Sequence, residues 1–390
     1  MSAIGIVAFV LALLISVVLH EAGHFAFAKK FGMKATQFFV GFGPTIWSRQ
    51  KGETEYGLKA IPAGGYVKII GMTDLEPVDP ADEPRAFYRQ PAGKRAIVLS
   101  AGSFTHFLIA IVLLWLSLWL GGQPNQHRVE VATVQQCVSA DVSAPCGSAI
   151  SPARSLGLLP GDEVVALNGA PVTGIDQFRT ALSSTGGRPL TIAWLHGGVR
   201  HEATTTLQAV DVGGQQVWRI GVGPQNPTES VGPLAAIGRT PGLLGQLVTN
   251  TADSLAHFPD KLKTIFSPNR DPAGAVGVIG ISRVSGDILS LPDESLSVRI
   301  ATFLLIVAGV NFFVGVFNLL PLLPLDGGHL AVLGYEQGRH RLRRARGYRG
   351  PVKRVDLNKL LPATYAVVAI FMVLTLVLAT ADIVNPINLR

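Results

Sequence analysis

The stretch that most restricts this chain is an apolar run of bilayer length, Ile4–Ala28, whose only ionisable side chains are His20, Glu21 and His24. A bilayer core of about 30 Å is crossed by roughly 20 apolar residues in a helix. No water reaches the backbone there, so a single segment must satisfy its own N–H and C=O groups, which a helix does. Residues four apart share a helix face, which stacks His20 and His24 one turn apart. That spacing lets two imidazoles reach one zinc ion through Zn–N bonds of about 2.0–2.1 Å. Glu21, one position on, is placed to act as general base toward a water at the metal. A pair of structural core histidines is the competing explanation, but an ionisable triplet in such a run is costly without a function.

Three more apolar segments are long enough to span a bilayer: roughly Ala96–Leu120, Ile300–Leu320 and Leu360–Thr380. They explain why 48% of the chain is hydrophobic and only 15% charged. The first run is too long for a signal peptide and lacks a basic start, so it reads as retained. The net charge of +7 does not point to nucleic acid, because the basic residues concentrate in two loops. Lys29–Arg95 carries 11 Lys or Arg in 67 residues and Gly338–Arg354 carries 8 in 17, whereas Gly121–Arg299 carries 12 in 179. The positive-inside rule then puts the two basic loops in the cytoplasm and the long segment outside, with both termini extracytoplasmic. Arg339–Arg344 reads either as that topology signal or as a contact to anionic lipid. Both cysteines, Cys137 and Cys146, fall in the outer segment, where an oxidising compartment permits a disulfide; two unpaired thiols are the alternative.

Between the first two spans, Gln37–Pro44, Thr54–Ile61 and Gly64–Gly71 interleave aromatic, β-branched and glycine residues, which predicts short strands with turns. An exposed edge there could hold an extended peptide by strand addition, or the sheet could stand apart from substrate. Thr73–Arg95, with four prolines, reads as a loop. Gly102 and His106 share a face of the second span; His106 either faces the metal site or hydrogen-bonds a neighbouring helix. Gln123–Pro224 predicts a small α+β module, with strands at Leu190–Leu195 and Glu202–Leu207, a helix at Ile175–Ser183 and an Asn168-Gly169 turn. Val231–Leu291 has apolar residues at helical spacing, which predicts amphipathic helices.

A catalytic zinc ordinarily takes a third protein ligand. At 1.5 Å per residue, His20 lies toward the cytoplasmic end of its helix. The third span runs inward and ends in Asn318-Leu-Leu-Pro321-Leu-Leu-Pro324-Leu-Asp326-Gly-Gly-His329. Its two prolines break the helix and leave Asp326 at the depth of the histidines. Asp326 can serve there as a ligand or as a helix N-cap. His329 is a second candidate ligand within one turn.

These motifs together resemble the site-2 protease family: H-E-A-G-H in the first span, N-L-L-P-L-L-P-L-D-G-G after the third, and one module between the second and third with a Gly-x-x-Pro-Gly-Asp stretch similar to bacterial PDZ domains. The arrangement is most similar to the actinobacterial form that regulates sigma-factor pathways. The resemblance implies Zn2+ held by His20, His24 and Asp326, with Glu21 catalytic, and Asn318, Pro321 and Pro324 shaping the substrate side. It implies single-pass membrane substrates such as anti-sigma factors, already trimmed outside by another protease. It also makes residues 34–72 the family's membrane-associated β-region. The chain departs from the family at His106, where the pattern Gly, three residues, Asn is usual.

The expected architecture is therefore a multi-pass α-helical protein of the plasma membrane, with four transmembrane helices, a membrane-associated β-region and one extracytoplasmic PDZ-like domain. Its expected parts are 1–33 (first span), 34–95 (β-region and loop), 96–122 (second span), 123–224 (PDZ-like), 225–297 (amphipathic linker), 298–337 (third span and ligand motif), 338–359 (basic loop) and 360–390 (fourth span and tail). The expected activity is intramembrane zinc endopeptidase. A non-proteolytic membrane scaffold displaying a PDZ module is the rival, and Glu21 argues against it, since binding needs no base beside the ligands. A zinc transporter would need polar residues along a path through the bilayer, and the four segments offer few.

Overall fold

The computed structural model describes residues 3–72, 77–138, 150–212, 215–267, 270, 274–291 and 294–387. The chain divides into two compact units, Met1–Gly121 with Gly232–Arg390, and Gly122–Val231. Cys146 lies outside the described residues, and the expected pairing with Cys137 does too.

The first unit begins with α1 (Ala3–Lys30), followed by β1 (Ala35–Lys51), β2 (Thr54–Ile69) and α2 (Ala92–Gly121). The stretches expected as separate short strands merge into two long ones. Bends at Gly41, Gly43 and Gly64, all with positive φ, let the long strands fold back on themselves. Phe38 is thereby paired with Val67 on one side and Tyr56 on the other, and Phe39 with Tyr66 and Gly57. The sheet packs against α1 through β2. Short 3-10 turns at Glu83–Arg85 and Phe87–Arg89 interrupt the expected loop. Ala28, Met33, Ala35, Phe87, Val98 and Leu99 form the core where α1, the sheet and α2 meet. Glu53 ties the same region together: Arg85 grips it with two hydrogen bonds, at 2.7 and 2.9 Å, and Lys29 pairs with it from the end of α1.

The second unit contains β3 (Gln123–Pro124), β4 (Val129–Val134), α3 (Pro152–Ser155), β5 (Glu163–Leu167), β6 (Ala170–Pro171), α4 (Ile175–Thr185), β7 (Pro189–His196), β8 (Val199–Thr206), β9 (Gln208–Val212), β10 (Gln215–Arg219), β11 (Val222–Gln225) and β12 (Thr228–Glu229). Its main sheet runs β11-β4-β5-β7-β8, with β6 beside β5. Asn168 and Gly169 both take positive φ, as the turn between β5 and β6 requires. Gly197 and Gly198 do the same between β7 and β8, where His196 pairs with Val199. One face of the sheet buries Val131, Val164, Leu190 and Ile192 against Phe178 and Leu182 of α4. Each such side chain contributes about 1.5–3 kcal/mol.

The first unit resumes with α5 (Pro233–Ala256), α6 (Phe258–Lys263), α7 (Val278–Leu289), α8 (Leu296–Asn318), α9 (Asp326–Ala345) and α10 (Leu361–Val384). Four helical segments are long and apolar enough to cross a membrane: Ala3–Lys30, Ala92–Gly121, Leu296–Asn318 and Leu357–Val384. The protein is accordingly a multi-pass membrane protein. Helix α2 packs against α1, α5 and α8, while α7 packs against α1, α8 and α10. The expected linker thus carries a helix built into the bundle. The expected basic loop is helical as far as Ala345. Leu, Gln and Arg favour helix, and cations suit a helix C-terminus. Helix α10 leaves Ile370, Val373 and Leu376 exposed, a face for lipid. Its far end is locked by buried Asp382, which accepts from Arg270 at 2.9 Å and from the Gly280 N–H at 2.7 Å.

Candidate metal centre

His20 and His24 lie on one face of α1, and both are buried. Helix α2 crosses α1 at that level because two glycines permit it. A Cβ on Gly23 would stand 2.4 Å from Thr105 Oγ1, and one on Gly102 would stand 2.4 Å from His24 Nε2 and from His20 Cε1. The third group comes from about 300 residues later in the sequence. Helix α8 ends at Asn318, the chain turns through Pro321 and Pro324, and α9 begins at Asp326. The two glycines after Asp326 let this turn close on the helix start. A Cβ on Gly327 would fall 2.2 Å from the Leu319 carbonyl, and one on Gly328 would fall 2.6 Å from Leu322 C. The helix N-cap is Leu325, so Asp326 is not spent on capping.

The result is a buried cluster of three donor atoms. His24 Nε2 lies 3.2 Å from His20 Nε2 and 3.3 Å from Asp326 Oδ2, and His20 Nε2 lies 3.5 Å from the same oxygen. His24 donates its Nδ1–H to the Val98 carbonyl at 2.7 Å, which leaves the lone pair on Nε2. Asp326 Oδ2 is buried without a hydrogen bond. Converging lone pairs repel unless a cation lies among them. Zn–N and Zn–O bonds of about 2.0–2.1 Å in a tetrahedron place ligand atoms about 3.3–3.4 Å apart. The donor set and its spacing therefore fit zinc. Among the described residues, this is the group of three His, Cys, Asp or Glu side chains arranged to hold a metal.

Glu21 is half-buried and lies between the cluster and the sheet. Its Cγ would stand 3.4 Å from a Cβ on Gly65. His329 lies outside the cluster, in a recess with Arg95, Leu99 and Glu336. Burial pushes its imidazole below the usual histidine range, against the opposing pull of Asp326. Asn318 is half-buried, and Pro321 and Pro324 are exposed. Pro321 lines an apolar cleft of about 410 Å3 with Leu322, Val332, Tyr335, Leu360 and Val367. His106 donates to Asn311 Oδ1 of α8 at 2.9 Å, and its ring centroid is also 4.9 Å from that of His20. Both sequence readings of His106 thus hold in part. Sequence reasoning missed Asn311, whose only signal was an amide in an apolar span.

The sequence model of Peptidase family M50 matches residues 8–352. The chain is 38% identical to zinc metalloprotease Rip1 of Mycobacterium tuberculosis, over 99% of this chain and 98% of that protein. It is 37% identical to zinc metalloprotease Rip1 of Mycolicibacterium smegmatis, over 100% of this chain and 99% of that protein.

Proposed function

The chain belongs to Peptidase family M50, the site-2 protease family, and on that premise we propose that it is an intramembrane zinc endopeptidase that hydrolyses peptide bonds within the membrane segments of single-pass proteins. The observation that carries this reading is the buried trio His20 Nε2, His24 Nε2 and Asp326 Oδ2, spaced 3.2–3.5 Å apart within an apolar bundle. In this reading these three side chains hold the metal. Zinc, when bound, supplies Lewis acidity that polarises a carbonyl and brings the pKa of a coordinated water to about 7. Glu21 takes the proton of the attacking water and passes it to the leaving amine. The Val98 carbonyl keeps the His24 ring in the tautomer that ligation needs.

A helical substrate engages its own carbonyls in backbone hydrogen bonds, so the scissile segment must first unwind. The stretch Gly65–Ile69 is paired with β1 on one side and runs past Glu21. It offers a place for an unwound segment to add as a strand. Asn318, Pro321 and Pro324 bound the other side of the substrate's path in this reading. The unit Gly122–Val231 serves as a PDZ-like module outside the cell. Both termini lie outside, and the metal site lies toward the cytoplasm. The substrates are anti-sigma factors or similar single-pass proteins already trimmed by another protease. The test is zinc content of the purified protein, together with cleavage of a synthetic transmembrane peptide by the wild type and Glu21→Gln. Zinc retained with cleavage abolished supports the mechanism; full activity in Glu21→Gln refutes it.

A further inference from the structure

A metal-bound imidazole is ordinarily oriented by an acceptor on its other nitrogen. His24 has such an acceptor in the Val98 carbonyl. His20 is held less firmly: its Nδ1 is buried beside the Gly102 backbone without a hydrogen bond of normal geometry. Packing therefore contributes to the plane of the His20 ring. One wall is the edge of His24, with ring centroids 4.7 Å apart and planes at 80°. The other aromatic wall is His106, at 4.9 Å and 42°.

His106 is itself fixed. Asn311 Nδ2 faces the Val307 carbonyl at 2.8 Å, and a carbonyl only accepts. The amide orientation follows, so Asn311 presents Oδ1 to His106 Nδ1 at 2.9 Å. His106 Nδ1 must then carry the proton. Both residues are almost wholly buried, at 3% and 1% exposure. A chain of determined contacts thus runs from the α8 backbone through Asn311 and His106 to the His20 ring.

We infer that His106 is a positioning residue for the metal ligand His20, held at its working angle by Asn311. This inference rests on the zinc reading above. Loss of a partner that orients a ligand costs metal affinity about 10–100-fold. The experiment measures Zn2+ affinity of the full-length protein in detergent, by chelator competition, for the wild type, His106→Ala, Asn311→Ala and Asp326→Ala. The visible spectrum of each Co2+-loaded protein and the thermal stability of each metal-free protein are recorded alongside. His106→Ala should bind Zn2+ about 10–100-fold more weakly, with a shifted Co2+ spectrum. Asn311→Ala, which keeps the ring but frees it, should show the same spectral shift with a smaller loss. If His106→Ala does not fold, Asn311→Ala carries the test. Wild-type affinity in both variants overturns the inference. So does weakened affinity with an unshifted spectrum, the pattern of general destabilisation. A wild type that binds no Zn2+, or Asp326→Ala binding it normally, would instead overturn the zinc reading itself.

Discussion

Gly102 and His24 touch so closely that a Cβ on the glycine would lie 2.4 Å from the histidine Nε2. No rotation of a methyl group relieves that overlap, and His20 occupies the adjoining space. Gly102→Ala should therefore lose about 10–100-fold in zinc affinity. Metal analysis of the purified variant checks this, and a full complement of zinc would contradict the close packing of α1 on α2.

Asp326 and His329 should separate cleanly. Asp326→Ala should remove most bound zinc and all peptide cleavage, because it deletes one of three converging donors. His329→Ala should keep the metal, since His329 lines a different recess. Zinc per protein in the two variants decides the matter: loss in His329→Ala with retention in Asp326→Ala would reverse the assignment.

Gly65 meets Glu21 without touching the donor atoms. A Cβ there would press on the Phe39 carbonyl at 3.0 Å and lie 3.4 Å from Glu21 Cγ. Gly65→Ala should leave zinc content intact while lowering kcat by roughly 10–100-fold, the scale of a misplaced reacting group. Unchanged kcat would show that the sheet does not set the position of Glu21.

Acid should dissolve the anchor at Glu53. Arg85, then Lys29, hold its carboxyl down to about 2, against an ordinary value of 4.5. A depressed carboxylate pKa stabilises the fold above the ordinary value, and that contribution drains away as pH falls through 4.5 toward 2. The Tm gap between wild type and Glu53→Gln should be constant near neutrality and close over that window. A gap that persists at pH 2 would mean the pair contributes nothing through its charge.

The expected orientation is testable by labelling single cysteines in intact cells, with Cys137 and Cys146 replaced. Arg344→Cys should react only after the membrane is permeabilised, and Arg200→Cys should react directly with an impermeant reagent. The opposite pattern would invert the topology read from the basic loops.

The spans, the His20–Glu21–His24 triplet and the break before Asp326 are legible because each is a local pattern: apolar length, helical spacing and proline. The hairpin turns at Asn168-Gly169 and Gly197-Gly198 are legible for the same reason. Gly102 is not, since nothing local distinguishes a glycine that admits two imidazoles from one that merely loosens a helix. The long strands Ala35–Lys51 and Thr54–Ile69 were concealed by the glycines that bend them. The helical course of the basic run is masked by its charge, and the place of α7 in the bundle depends on contacts with α1 that no periodicity records.

The three converging donor groups come from distant parts of the chain, and synthesis is directional. His20 and His24 leave the ribosome early, and Asp326 follows about 300 residues later, roughly 15–60 s at 5–20 residues per second. Throughout that interval the nascent chain holds an incomplete ligand set. A hydrolase assembled in this order stays inert while its first three membrane segments are being inserted, and its donor set closes only when the stretch after the third span has been made.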